Sequence, residues 1–207
     1  MTERAIYIMK LTFMRFSGQE KQDLLKAWIA ISLAFAILRG GILSYIFLAY
    51  FIISLLTVGI GFLLHELAHK FVALHFRCRA EFRADDRMLV FAVVSSFLGF
   101  VFAAPGAVMI QGNVTAEKNG KISLAGPAAN LALAVIFLAG FLLVQKPGII
   151  PGVLYEGFHI NSLIALFNML PFMNFDGAKI LRWNKAIYVG TVFSASTLFF
   201  LTYLLPA

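Results

Sequence analysis

The chain has 207 residues, of which 61% are hydrophobic and 13% are charged. Soluble domains are about 45 to 50% apolar, so this composition excludes an ordinary soluble protein and indicates an integral membrane protein. The formal net charge of +7 would suggest nucleic-acid binding in a soluble protein. Here the basic residues lie between hydrophobic segments, where they indicate orientation in the lipid bilayer and no nucleic-acid partner.

Residues 1–24 mix basic residues with short apolar pieces and lack the continuous hydrophobic region of a cleaved signal peptide. We therefore predict a retained cytosolic N-terminal segment over 1–24, within a single integral membrane domain over 1–207. A helix needs about 20 apolar residues to cross a bilayer. Hydrophobic runs that approach or reach this length lie at 27–38 (marginal), 42–64, 88–110, 122–144, 153–175 and 186–206.

The run over 42–64 leads directly into His65-Glu66-Leu67-Ala68-His69. On a helix, residues at i and i+4 lie on one face, so both imidazoles can reach one metal ion, and Glu66 can act as general base on a metal-bound water. The alternative is a chance motif whose histidines are solvated. We predict one Zn²⁺ per chain, held by His65 and His69, with Glu66 as the catalytic base.

A catalytic zinc ion usually takes a third protein ligand, and the single cysteine, Cys78, cannot supply a cysteine-based site alone. The best candidate is Asp176, which follows the run over 153–175. Pro171 and Gly177 lie nearby, and both residue types favour a broken helix at a membrane boundary.

The run over 88–110 is expected not to cross the membrane. If one metal joins His65, His69 and Asp176, the carboxyl ends of the runs 42–64 and 153–175 must lie at the same face of the membrane. An even number of crossings must then separate these ends, and the runs 122–144 and 153–175 already supply two. With a cytosolic amino terminus, this arrangement leaves 15 of the 17 Lys and Arg residues on the cytosolic side, against 11 if 88–110 spans. The run is rich in Val and Phe, so we predict a re-entrant β-hairpin or sheet, with a kinked transmembrane helix as the alternative.

Three other polar residues have less defined roles. Asn130 could contact the metal site from a third segment or make an ordinary capping or interhelical hydrogen bond. His75 lies about 15 Å past His65 along a continuous helix, and His159 about 25 Å before Asp176, so both are too far away to share the metal. We interpret His75 as interfacial and His159 as a packing residue.

Three motifs occur in a characteristic order. They are His65-Glu66-x-x-His69, Ala125-Gly126-Pro127-Ala128-Ala129-Asn130 and Asn168-x-x-Pro171-x-x-x-x-Asp176-Gly177. Together they resemble the site-2 protease family of intramembrane zinc metalloproteases, over a catalytic core of about 42–185. Phe175 before the Asp-Gly pair and Ala178 after it depart from many relatives. There is no PDZ-like insertion, so the resemblance is to a minimal form.

The resemblance implies that His65, His69 and Asp176 bind zinc, that Glu66 activates water, and that Asn168 helps to hold the substrate or the developing oxyanion. The expected fold is a mainly α, polytopic bundle of about five spanning helices. A small re-entrant β-hairpin or sheet is expected between the HExxH helix and the helix that carries Gly126-Pro127. We expect a multi-pass protein of the cell membrane whose amino terminus and active-site side are cytosolic.

The predicted function is hydrolysis of a peptide bond within or near a transmembrane segment of another membrane protein. An exposed strand edge would suit this reaction, because a helical substrate must unwind before its carbonyl can be attacked. One alternative is a catalytically inactive, metal-binding relative that acts as a membrane adaptor or chaperone. Another is a metal-ion transporter, against which the lack of a visible inverted repeat counts.

Overall fold

The computed structural model describes residues 16–101, 105–144 and 148–205, so most of the predicted N-terminal segment, residues 1–15, lies outside the described part. Eight α-helices and two strands follow one another along the described chain. They are α1 (Gly18–Gly40), α2 (Phe47–Ser54), α3 (Ile60–His75), β1 (Arg79–Ala84), α4 (Asp86–Ser96), β2 (Gly106–Gln111), α5 (Ala116–Leu143), α6 (Ile149–Asn168), α7 (Asp176–Trp183) and α8 (Lys185–Leu201). A π-helical segment, Leu55–Gly59, joins α2 to α3, and a 3₁₀ turn, Thr202–Leu204, extends α8.

Four helices of the described chain are long and apolar enough to cross a membrane. They are Phe47–His75, Ala116–Leu143, Ile149–Asn168 and Lys185–Leu204. The predicted helical membrane bundle is confirmed, with one fewer candidate span than the five or so expected. The marginal run over 27–38 forms the middle of α1, which is not among the four and which carries charged side chains near both ends.

The run over 88–110 is helical at its start and extended at its end. The Asp85 side chain accepts hydrogen bonds from the N–H groups of Arg87 and Met88 and so caps α4, which explains why a segment rich in Val and Phe forms a helix. The 11 residues of α4 rise about 16 Å, too little to cross the roughly 30 Å hydrocarbon core. Residues 102–104 of the run lie outside the described part of the chain.

The predicted small sheet between the HExxH helix and the Gly126-Pro127 helix is present. Strands β1 and β2 pair antiparallel, with Arg79 opposite Gln111 and Ala84 opposite Gly106. Only β2 belongs to the run over 88–110, because β1 precedes it. Gly106 has a φ of 151°, and a side chain there would collide with the Arg83 carbonyl oxygen, so the hairpin needs glycine at this position.

The hairpin is held against the bundle by α1 and α3. Phe62 of α3 and Phe82 of β1 meet edge to face with ring centroids 5.7 Å apart. The fully buried Glu20 of α1 forms an ion pair with the buried Lys70 of α3, and its second carboxylate oxygen accepts the Phe82 N–H at 3.0 Å. The Lys70 ammonium also lies 3.9 Å from the Phe16 ring centroid. These contacts fix β1 beside the carboxyl-terminal half of α3.

Candidate metal centre

The two histidines of the HExxH motif lie on the buried face of α3, which packs on α5. His65 and His69 are 4% and 8% exposed, and their rings stand edge to face with centroids 4.6 Å apart. His65 lies 18 residues after Phe47, or about 27 Å along the helix, so the pair lies in the carboxyl-terminal half of this candidate span.

Asp176 joins the two histidines from a different part of the chain. Helix α6 ends at Asn168, and residues 169–175 lead to Asp176 as the first residue of α7. Its Oδ2 lies 3.2 Å from His65 Nε2 and 3.1 Å from His69 Nε2, and the two Nε2 atoms are 2.9 Å apart. The three residues predicted as metal ligands therefore present three donor atoms to one point.

Hydrogen bonds on the far side of each ring determine which nitrogen carries the proton. His69 Nδ1–H donates to the Ile122 carbonyl oxygen at 2.7 Å, and His65 Nδ1–H donates to Asn130 Oδ1 at 2.6 Å. Both Nε2 atoms of the neutral rings are therefore lone-pair donors that face the Asp176 carboxylate. Three electron-pair donors that converge in a buried space repel one another unless a cation lies among them.

The donor set fits zinc. Two imidazole nitrogens and one carboxylate oxygen form a common catalytic zinc set, and tetrahedral ligands at 2.0 to 2.2 Å lie about 3.3 to 3.6 Å apart, slightly more than the 2.9 to 3.2 Å found here. A zinc ion would be held by His65 Nε2, His69 Nε2 and Asp176 Oδ2. Gly126 of α5 supports this fit, because a Cβ there would lie 2.5 Å from His65 Nε2 and closer still to His69 Nε2.

Charged neighbours of Asp176 favour its ionised carboxylate. Burial raises the pKa of this group, and a cation held among the three donors would lower it. The other carboxylate oxygen, Oδ1, lies 3.6 Å from the Lys179 ammonium, one turn along α7. Gly177 is required beside it, because a side chain there would collide with the Met169 carbonyl oxygen.

The two predicted catalytic residues, Glu66 and Asn168, have different surroundings in the structure. Glu66 is partly buried and lies within electrostatic range of His65, Asp176 and Lys179, as expected of a base beside the ligands. Asn168 is the last residue of α6, and its side-chain N–H donates to the Ile164 carbonyl of the same helix at 3.0 Å. The role of Asn168 in holding substrate stays a prediction.

The sequence analysis gave contact with the metal site as one of two roles for Asn130, and it did not single out Asn161. Asn130 is fully buried and contacts His65 directly, and its position in the Ala125–Asn130 motif was a usable signal for this role. Asn161 contacts Asn130 from α6 and belongs to none of the motifs. His159 packs among aromatic rings and lies 3.2 Å from Thr202 Oγ1, in keeping with the packing role predicted for it. His75 packs on Phe76, and its interfacial position stays a prediction.

Comparison with curated proteins gives relatives in an archaeon and a bacterium. A protein of Methanocaldococcus jannaschii named "Putative zinc metalloprotease MJ0611" is 43% identical over 184 residues, which cover 86% of this chain and 91% of that protein. Two proteins of Mycobacterium tuberculosis, named "Putative zinc metalloprotease Rip2" and "Rip3", are 31% and 32% identical over 136 and 132 residues. These stretches cover 58% and 59% of this chain but only 52% and 29% of the relatives.

No known family profile matches the chain, and no solved structure matches it either. The archaeal relative nevertheless aligns along most of both chains, and the donor residues of the HExxH motif and Asp176 meet at one point. The chain belongs to the site-2 protease-like family of zinc metalloproteases.

Proposed function

We propose that this protein is an intramembrane zinc endopeptidase that hydrolyses a peptide bond within or near a transmembrane segment of another membrane protein. The observation that carries the proposal is the location of the donor atoms. His65 and His69 belong to a 29-residue apolar helix, and they are buried against α5, itself of span length, and against Asp176 of the short helix α7. A protease site in this position has access to membrane-embedded chains.

The residues around the donors fit amide hydrolysis. Bound zinc supplies a Lewis acid that polarises a carbonyl and lowers the pKa of a water to about 7. Glu66 takes a proton from the attacking water as the new carbon–oxygen bond forms. It then returns that proton to the amine nitrogen as the carbon–nitrogen bond breaks. The two imidazoles donate hydrogen bonds from Nδ1 to Asn130 Oδ1 and to the Ile122 carbonyl oxygen. These bonds hold both rings in the tautomer whose Nε2 lone pair can bind the metal.

Within the described residues, the hairpin has one edge that no other strand covers, and this edge suits an unwound substrate. The Phe82 N–H of β1 donates to Glu20, so this group points away from β2. Phe82 lies opposite Val108, and in an antiparallel ladder the two residues of such a pair both direct their backbone groups outward. The backbone groups of Val108, and of Gly106 and Ile110 two residues away on either side, therefore face the outer edge of β2.

The two edges of the sheet differ in what covers them. Helix α1 packs along β1 through Glu20 and through the ion pair between Arg83 and Asp23, so the edge of β1 is closed. The sheet has only two strands, so within the described residues no third strand pairs with β2. We assign β2 as the strand that pairs with an extended substrate segment, since such pairing satisfies the backbone groups exposed by unwinding.

The test is cleavage of a model transmembrane substrate by the purified chain in lipid vesicles. Glu66→Gln keeps the size of the side chain and removes the base, so we expect zinc content to be retained while the cleavage rate falls by about 10²- to 10⁴-fold. Glu117→Gln is the matched control, because Glu117 is an exposed residue at the start of α5 that pairs with Lys121. It should cleave at the wild-type rate.

Other outcomes would point to the alternative functions. Equal activity in Glu66→Gln and wild type would refute the proposed mechanism. Stoichiometric zinc with no cleavage of any membrane substrate would favour an inactive adaptor. Zinc flux into the vesicles, unaffected by Glu66→Gln, would favour a transporter.

A further inference from the structure

Two buried asparagines, Asn161 and Asn130, form a chain of hydrogen bonds that ends at His65. Asn161 Nδ2 donates to the Gly157 carbonyl oxygen at 2.8 Å, one turn back on α6. Asn161 Oδ1 accepts from Asn130 Nδ2 at 2.9 Å, and the same Nδ2 also donates to the Gly61 carbonyl oxygen at 3.1 Å. Asn130 Oδ1 then accepts from His65 Nδ1. The chain of bonds links α6, α5 and α3, and both asparagines are 0% exposed.

The Gly157 carbonyl, at the end of the network farthest from His65, sets the direction of every hydrogen bond in it. The Gly157 carbonyl can only accept, so it requires the NH₂ group of Asn161 and turns Asn161 Oδ1 toward Asn130. Two acceptors, Asn161 Oδ1 and the Gly61 carbonyl, then require the NH₂ group of Asn130, which leaves its Oδ1 for His65. A flipped Asn130 amide would place its oxygen against both acceptors. His65 must therefore carry its proton on Nδ1 and keep the lone pair on Nε2.

We propose that Asn161 is a positioning residue for the metal site. Through Asn130 it fixes the tautomer and ring orientation of His65, while Asn161 itself touches none of the three proposed metal ligands. The inference rests on the proposed function in that it concerns the same metal site. The close packing supports it, because a side chain on Gly61 of the HExxH helix would collide with Asn161 Oδ1. The helix backbone thus comes close enough to take part in the network.

The second histidine provides an internal comparison. His69 Nδ1 donates directly to the Ile122 carbonyl oxygen, a backbone group that cannot flip. Its tautomer is fixed without any side-chain relay. Loss of Asn161 should therefore disturb His65 and leave His69 unchanged.

The experiment measures zinc affinity and imidazole tautomers in the full chain in detergent micelles. Asn161→Leu removes both bonds of Asn161 in a side chain of similar size, and we expect zinc affinity to fall by about 10- to 100-fold. Asn161→Asp, as the neutral acid expected at a fully buried position, donates its O–H to the Gly157 carbonyl and still accepts from Asn130, so it should stay within about threefold of wild type. Ser162→Ala is the matched control, because Ser162 is a fully buried neighbour that bonds the Phe158 carbonyl in the same way but has no link to the site.

A second readout requires neither zinc nor proteolysis. In the metal-free chain, ¹⁵N resonances of the imidazoles should report the Nδ1–H tautomer at both histidines in wild type, and a tautomer mixture at His65 alone in Asn161→Leu. If Asn161→Leu fails to fold, Asn161→Ala removes the same bonds without adding a branched side chain. Wild-type zinc affinity and an unchanged His65 tautomer in either variant would overturn the inference, as would an equal loss in Ser162→Ala. If wild type binds zinc but cleaves nothing, the proposed function fails while this inference stands.

Discussion

Substitution of Gly126 by Ala should block the metal site while leaving the helix intact. Gly126 lies inside α5, and a Cβ there would approach His65 Nε2 to 2.5 Å, against an ordinary van der Waals contact of 3.4 Å or more. The overlap is about 0.9 Å, several times the roughly 0.2 Å by which metal–ligand distances can vary. Both imidazoles must shift to accommodate the methyl group, which moves their Nε2 atoms out of the positions from which they face Asp176.

The expected loss of zinc affinity exceeds 100-fold. Changes in groups that merely support a ligand cost about 10- to 100-fold in metal affinity, and here two ligand atoms are displaced directly. Alanine favours an ordinary helix interior over glycine by up to about 1 kcal/mol, but Gly126 precedes Pro127, where a Cβ in helical backbone is disfavoured. The clash with two buried imidazoles adds a cost of about 1 to 3 kcal/mol, so the metal-free chain should lose a modest part of its stability while zinc affinity falls by more than 100-fold.

The assay is competition for zinc with a chelator of known affinity, together with thermal unfolding of the metal-free chain. Gly140→Ala is the matched control on the same helix, because its Cβ would meet only the flexible tip of Leu154, at 3.0 Å. It should gain the helix preference of alanine over glycine and bind zinc like wild type. Undiminished zinc affinity in Gly126→Ala would refute the geometric argument, and an equal loss in both variants would point to a general effect on α5.

Two further predictions concern the hairpin and its support. Lys70→Met should lower the free energy of unfolding by about 3 to 5 kcal/mol, because it leaves the Glu20 carboxylate buried without its partner. Adding Glu20→Gln, which keeps an acceptor for the Phe82 N–H, should restore much of that loss in thermal unfolding; a double variant no more stable than Lys70→Met would contradict this explanation. Val108→Pro should retain the hairpin and the bound zinc, because the N–H that it removes faces the outer edge of β2. It should reduce kcat/KM for membrane substrates by about two- to tenfold, which corresponds to the loss of one hydrogen bond to the substrate. Met109→Pro removes an N–H that faces β1 and should disrupt the sheet, and full activity in Val108→Pro would exclude pairing of substrate with β2.

Much of the architecture follows from local patterns. Hydrophobic length identifies the four span-length helices, because a helix must supply enough apolar residues to match the membrane. The charge count predicts that 88–110 does not cross the membrane, and none of the candidate spans of the described residues lies there. It does not reveal that β1 lies before this run or that α4 occupies its first part, since these depend on the Asp85 cap and on pairing with Arg79–Ala84.

The sequence by itself determined the HExxH pair, because an i, i+4 spacing on a helix places both imidazoles on one face whatever surrounds them. Its motifs also indicated Asp176 as the third ligand. Only the tertiary structure decided which groups hold those ligands in place. Asn130 and Asn161 lie 65 and 96 positions from His65, and their bonds depend on how three helices pack in space, which no local periodicity encodes. The close approach of Gly126 to both imidazoles has the same origin, since a contact between helices is fixed by the packing of the whole bundle.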